Sequence, residues 1–132
     1  MNIFFDVDYT LIDDWNSSLR PHVREVFQRL VDDGHHIYLW SGVGLRWEVV
    51  DRHGLRDLVR DCFRKPLHNH ENERIRLGVP MRPDYVIDDH SEVVSAFGGF
   101  VIRPYYNGNR DDNEMLRVYE DISRFRLQNG SA

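Results

Sequence analysis

Cysteine and lysine occur once each in this chain, as Cys62 and Lys65. A single thiol excludes an intramolecular disulfide and any metal site built on several cysteines. Long apolar runs are missing too. The longest are about strand length, well short of the roughly 20 residues a membrane helix needs, so no membrane partner is expected. No basic stretch leads into a long apolar one at the N-terminus, so no secretory leader is expected and the cytoplasm is the expected compartment. Positive charge is in deficit: 22 acids stand against 17 bases, a net charge of −5. That weighs against loose electrostatic binding to nucleic acid, while a polynucleotide end stays open as a substrate. Repeats, low-complexity tracts and linkers rich in Pro, Gly or Ser are also lacking. What is left is a chain of 132 residues, 41% hydrophobic and 30% charged. It suffices for one domain, residues 1–132, around one core.

Apolar patterning orders the chain. Residues 2–6 read as a strand buried on both faces, since alternation is weak. From Pro21 the positions Val23, Val26, Phe27, Leu30 and Val31 recur at helical spacing, with Pro21 suited to the first turn and Gly34 to the stop. "HIYLW" (36–40) reads as a second strand, closed by Ser41 and Gly42. Residues 44–53 read as helical, followed by a helical turn at 55–59. A third strand is expected at 60–63 and a helix at 68–77. A strand at 84–89, a helix at 91–97, a strand at 100–104 and a helix at 112–127 complete the series. Strands alternating with helices predict a three-layer α/β/α, Rossmann-like domain around a parallel sheet of about five strands. Such sheets place their sites at the carboxyl ends of the strands.

At those ends the sequence puts chemistry. Strand one runs into Asp6 and Asp8, strand two into Ser41, strand four into Asp88 and Asp89, and Lys65 follows strand three. Two acids one residue apart at the edge of a core repel each other and lose hydration. Something must compensate. An ammonium and a hard divalent cation do so, and oxygen ligands beside a phosphate suit Mg²⁺.

This order and spacing resembles the haloacid dehalogenase (HAD) superfamily of phosphatases over nearly the whole chain. Its first motif, Asp-x-Asp-x-Thr after an apolar strand, corresponds to "DVDYT". Its second, a Ser or Thr after an apolar strand, corresponds to "IYLWSG". The third, a Lys often followed by Pro, corresponds to "RKP" at 64–66, and the fourth, an acidic pair, to "VIDD". One position departs: the residue after the second Asp is commonly Gly and here is Tyr9. "DYTL" is similar to the magnesium-dependent phosphatase branch, whose members lack large caps.

The resemblance implies Mg²⁺-dependent hydrolysis of a phosphomonoester through an aspartyl-phosphate. Asp6 is then the nucleophile and Asp8 the general acid and base, with the neighbouring acids expected to raise the pKa of Asp8. Asp6, the backbone carbonyl of Asp8, and Asp88 are the implied metal ligands, with Asp89 assisting through water. Ser41 and Lys65 are implied to bind phosphoryl oxygens, and Thr10 to order the turn carrying both aspartates and so shape the substrate site. Gly42, in the turn after Ser41, belongs to the same candidate set. About ten residues separate Thr10 from Pro21, and 23 lie between Ser41 and Lys65. Neither gap holds a cap domain of the usual size, about 50 residues or more. The open site suits a phosphate on a bulky substrate, or a small metabolite if another subunit covers it.

Other residues are weighed singly. His90 and Arg46 are candidate substrate contacts, Arg46 for a second anionic group. In "RPYYNGNR" (103–110) Arg103 or Tyr105 is expected to shape substrate choice. "HH" at 35–36 lies at the wrong end of strand two, and "HNH" at 68–70 reads as a surface or capping stretch. Arg117, Arg124 and Arg126 read as a solvated helix face. A receiver domain also uses acids, a hydroxyl and a lysine, but its lysine comes last, whereas Lys65 precedes the second acidic pair. A non-catalytic or phosphoryl-transferring module on the same fold, binding a phosphorylated partner, is the alternative function.

Overall fold

Five short strands carry the apolar runs: β1 (Asn2–Phe5), β2 (His36–Ser41), β3 (Asp61–Arg64), β4 (Tyr85–Asp88) and β5 (Gly99–Val101). Five helices alternate with them or follow: α1 (Val23–Asp32), α2 (Trp47–Arg52), α3 (His70–Arg76), α4 (Ser91–Phe97) and α5 (Glu114–Gln128). This computed structural model describes residues 1–68 and 70–129. Every strand pairing is parallel and the spatial order is β3-β2-β1-β4-β5. The expected α/β sheet is therefore present, with no cap inserted. No helix among the described residues is long and apolar enough to cross a membrane.

Strand periodicity divides the interior in two. Ile3, Phe5, Ile37, Leu39, Tyr85 and Ile87 pack on one face with Val23, Val26, Phe27 and Leu30 of α1, Val49 and Val50 of α2, and Met115, Val118 and Ile122 of α5. Phe4, Tyr38, Trp40 and Val86 face the other way, onto Val79 and onto Val93 and Phe97 of α4. Successive side chains leave a strand on opposite faces, so two covered faces demand apolar residues at nearly every position. That is why the strands read as continuous runs.

Several elements differ in extent from the sequence expectation. The helical turn expected at 55–59 is a single one, Leu58 and Val59 donating to the Leu55 carbonyl at 2.9 and 3.0 Å. The helix expected over 44–53 is only Trp47–Arg52, because Gly44 has φ +139° and Arg46 is non-helical at φ −112°, ψ 41°. β5 stops at Val101: Ile102 still donates to the Asp88 carbonyl at 3.0 Å, but Pro104 has no N–H to continue a ladder. Of "HNH", His70 begins α3 and His68 is exposed, while Asn69 lies outside the described residues.

β1 and β4 are neighbours, and the chain leaves them toward opposite flanks of the sheet. The crevice between two such strands is where an open parallel sheet binds its ligand. Asp6 stands just past β1, its N–H donating to the Ile87 carbonyl at 2.9 Å, and Asp88 ends β4.

Candidate active site

The turn after β1 is built by the backbone. Thr10 and Leu11 donate to the Val7 carbonyl at 3.2 and 2.9 Å, closing a tight loop that turns Asp6 and Asp8 toward the strand ends. Tyr9, where Gly is common in the resembling family, has φ +64°, a left-handed conformation that costs a residue with a Cβ about 1–2 kcal/mol. Its ring sits edge-on to Tyr106 at 5.4 Å and its carbonyl accepts from Tyr105 N at 2.7 Å, contacts that offset the strain. Thr10 is wholly buried and its Oγ1 donates to Asp6 Oδ2 at 3.1 Å. Thr10 therefore orders the turn, and the wider role in substrate contact does not fit its burial.

Lys65 is the electrostatic centre. Its Nζ lies 2.9 Å from Asp6 Oδ1 and 2.9 Å from Asp88 Oδ2, bridging the ends of β1 and β4. Its own N–H donates to the Ser41 carbonyl at 2.9 Å, tying the end of β3 to that of β2. Burial pushes the Lys65 ammonium down, yet the charges of Asp6 and Asp88 outweigh it and the net shift is upward. Asp6 is pushed up to about 7 by burial first and by the Asp88 charge second, against the pull of Lys65. The acids expected to crowd Asp8 thus crowd Asp6. Asp8 instead meets a guanidinium: Arg46 Nη1 is 2.6 Å from its Oδ2.

Ser41 Oγ accepts from Val43 N at 3.2 Å and from Arg46 Nη1 at 3.3 Å. Both acceptor positions of a hydroxyl are then used, so its proton is free to be donated into the space before it. That space is a cavity of about 300 Å³ lined by Asp6, Asp8, Ser41, Gly42, Lys65 and His90, among others. Its remaining walls are Tyr9, Val43, Pro66, Leu67, His70, Glu92 and Val93. A Cβ on Gly42 would come within 2.9 Å of Leu67 Cδ2, so glycine lets Leu67 close against the turn.

The acidic pair at the end of β4 meets His90. Asp88 Oδ1 accepts from His90 N at 2.9 Å, and His90 Nδ1 lies 3.1 Å from Asp89 Oδ1. Burial lowers the His90 imidazolium, but the Asp89 and Asp88 carboxylates outweigh it and shift it upward. Asp89 Oδ1 is itself buried, with the His90 ring beside it. Ligand atoms of Asp88, Asp89 and His90 all lie within 4.8 Å of one another. Carboxylate oxygens of Asp6, Asp88 and Asp89 gathered at one strand edge are a donor set that a hard divalent cation fits.

Two expected contacts stand elsewhere. Arg103 is exposed, and its backbone is consumed by Glu114 Oε2 (3.2 Å to its N) and Arg20 Nη2 (2.6 Å to its O). Tyr105 is buried under the Arg20 guanidinium, 5.3 Å from its ring centroid, and neither residue lines the cavity. Both displacements have one cause. Arg20, wholly buried, forks onto Asp112 with two bonds of 2.8 Å and donates to the Thr10 carbonyl at 3.1 Å, pulling the loop after β5 inward beneath the aspartate turn. Arg20 and Asp112 escaped the sequence reading, and so did His70 and Glu92 at the cavity wall; the position of "HNH" just after "RKP" was the one signal for His70. Arg117 and Arg124 do lie on the outer face of α5, paired with Glu114 and Asp121.

Compared with known proteins, the chain matches no family model and no curated sequence.

Proposed function

We propose that this chain is a Mg²⁺-dependent phosphomonoester hydrolase working through an aspartyl-phosphate on Asp6. The observation that carries the reading is the single ammonium of Lys65 bridging Asp6 and Asp88 at 2.9 Å each, beside a Ser41 hydroxyl with only its proton left to give. Asp6, Asp8, Ser41 and Lys65 line one cavity, and Asp88 is joined to it through Lys65.

Asp6 attacks phosphorus in line, and the bond from phosphorus to the leaving oxygen breaks as Asp8 hands that oxygen a proton. Water then attacks phosphorus, Asp8 takes its proton, and the Asp6 carboxylate leaves. Ser41 and Lys65 hold phosphoryl oxygens throughout, and one preorganised donor of this kind is worth roughly 3–4 kcal/mol in the transition state. Asp6, the Asp8 carbonyl and Asp88 would hold Mg²⁺, with Asp89 behind them. A bound cation there offsets the repulsion between phosphate and nucleophile that burial and Asp88 make severe at Asp6. Val43 and Leu67, 77% and 79% exposed, stand at an uncapped rim. That rim suits a phosphate presented on a bulky substrate, or a small one if a second subunit covers the mouth.

The test is hydrolysis of p-nitrophenyl phosphate with Mg²⁺, with EDTA, and by Asp6→Asn in parallel. Turnover that needs the cation and is lost in the variant supports the reading. Turnover that survives Asp6→Asn refutes it. Retained phosphate binding without turnover, across a panel of phosphomonoesters, shifts the reading to a non-catalytic or phosphoryl-transferring module.

A further inference from the structure

Arg46 is placed where neither its element nor its sequence neighbourhood demands. It precedes α2 in a non-helical conformation, and its side chain turns back toward the sheet edge with only 15% exposure. Its Nη1 serves two partners, Asp8 Oδ2 at 2.6 Å and Ser41 Oγ at 3.3 Å, while Nε faces both oxygens of Glu48 at 3.2 and 3.3 Å. Nη2 makes no hydrogen bond within the described chain. The guanidinium therefore still has donors to offer, one bond away from the hydroxyl that faces the cavity.

Charge bookkeeping around that cavity points the same way. Asp6, Asp8, Asp88, Asp89 and Glu92 stand at or just behind its wall, and Lys65 is already shared between two of them. A phosphoryl dianion entering here needs more cationic donors than Lys65 supplies. Asp8 is 42% exposed, so giving up its guanidinium returns its carboxylate to water at small cost, whereas Arg46 is mostly buried and must keep an anion. A dianion is the stronger partner, and guanidinium forks match phosphoryl oxygens in pairs.

Resting on the phosphatase reading and deepening it, we infer that Arg46 is a phosphoryl-binding residue held in reserve by Asp8. On arrival of the phosphate its guanidinium passes from the Asp8 carboxylate to the phosphoryl oxygens, pivoting at Ser41, and leaves the Asp8 carboxyl free to face the leaving oxygen. Occupied phosphate and unoccupied site thus differ in the partner of one guanidinium. The substrate requirement that follows is a terminal phosphoryl dianion, with phosphodiesters bound poorly.

The experiment is calorimetric titration of the full chain with inorganic phosphate in the presence of Mg²⁺, for wild type, Arg46→Gln, Asp8→Asn and the double variant. Arg46→Gln is expected to weaken phosphate by about 10- to 100-fold, as for loss of a charged hydrogen-bond partner. Asp8→Asn is expected to tighten it severalfold while Arg46 is present and to change it little in the Arg46→Gln background, a non-additivity that simple removal of negative charge does not produce. Arg46→Lys, which keeps the charge but not the fork, is expected between wild type and Gln, and carries the test if Arg46→Gln fails to fold. Ser41→Ala and Lys65→Gln separate the two levels of the claim. If both weaken phosphate while Arg46→Gln and Arg46→Lys stay within twofold of wild type, or if the cycle is additive, Arg46 is not shared and the phosphatase reading stands. If wild type binds no phosphate, or binds it indifferently to Ser41 and Lys65, the site reading fails and the role of Arg46 falls with it.

Discussion

Arg20→Met removes the buried fork that joins the aspartate turn to the loop after β5. Arg20 has two 2.8 Å bonds to Asp112, one of 3.1 Å to the Thr10 carbonyl and one of 2.6 Å to that of Arg103, with Tyr105 packed against its plane. Methionine keeps most of the stem volume, so the loss is mainly polar. It leaves the Asp112 carboxylate, 10% exposed, without its cation, and the Thr10 and Arg103 carbonyls without this donor. Breaking one side of a buried ion pair costs about 3–5 kcal/mol. For a chain of this size about 1 kcal/mol shifts the melting temperature by about 3–4 °C, so a fall of roughly 10–20 °C is expected. The assay is thermal unfolding by far-UV circular dichroism, read beside Arg76→Ala, whose pair with Glu73 has an arginine side chain 75% exposed. That exposed pair is worth about 1 kcal/mol or less. Adding Asp112→Asn to Arg20→Met should recover part of the loss, because the stranded charge is then gone. A melting temperature for Arg20→Met no lower than that of Arg76→Ala would falsify the view that this fork locks the two loops.

Three further outcomes concern other parts of the molecule. Gly99 has φ +153°, and a Cβ there would run into the carbonyl oxygen of Val86, so Gly99→Ala should cost several kcal/mol, about 3 or more, and in urea melts lose most of the cooperative transition. His35 is lowered from 6.5 to about 4, chiefly by burial. Between those values the unfolded chain binds a proton that the fold refuses, so stability should fall as pH drops from about 6.5 toward 4, by roughly 1–2 kcal/mol after solvent screening. His35→Leu should flatten that part of the stability–pH curve, and an unchanged slope would count against it. Mg²⁺ at about 100 times its dissociation constant should stabilise the protein by about 2.7 kcal/mol in a thermal shift measured against EDTA. The shift should vanish in Asp88→Asn, and a shift of equal size in that variant would place the cation elsewhere.

The Tyr9 turn shows how a motif can be kept while its commonest residue is not. The backbone still adopts the left-handed conformation that glycine takes without strain, at φ +64°. A tyrosine is tolerated because Tyr106 packs edge-on against it and Tyr105 N ties down its carbonyl, and both partners come from the loop that Arg20 draws inward. The substitution in the turn and the buried arginine are thus parts of one arrangement.

By itself the sequence determined the parallel sheet and the residues at its edge. A strand covered on both faces must be apolar throughout, so "NIFF", "HIYLW" and "YVI" were legible as local runs. A parallel strand must be followed by a crossover, so the residue after each run had to reach the same edge. Asp6, Asp8, Ser41, Lys65 and Asp88 needed no knowledge of contacts to be gathered there. Only the tertiary structure decided which charges meet. Nothing local distinguishes Arg20, buried on Asp112 at a separation of 92 residues, from the solvated arginines, and nothing in "GLRWE" says that Arg46 turns away from its helix to reach Asp8 38 residues earlier. Periodicity is set by neighbours along the chain, whereas ion pairing and burial are set by whatever the folded loops bring alongside. That is why the positions of the acids could be read in advance, and why their partners, and the inward path that withdraws Arg103 and Tyr105 from the cavity, could not.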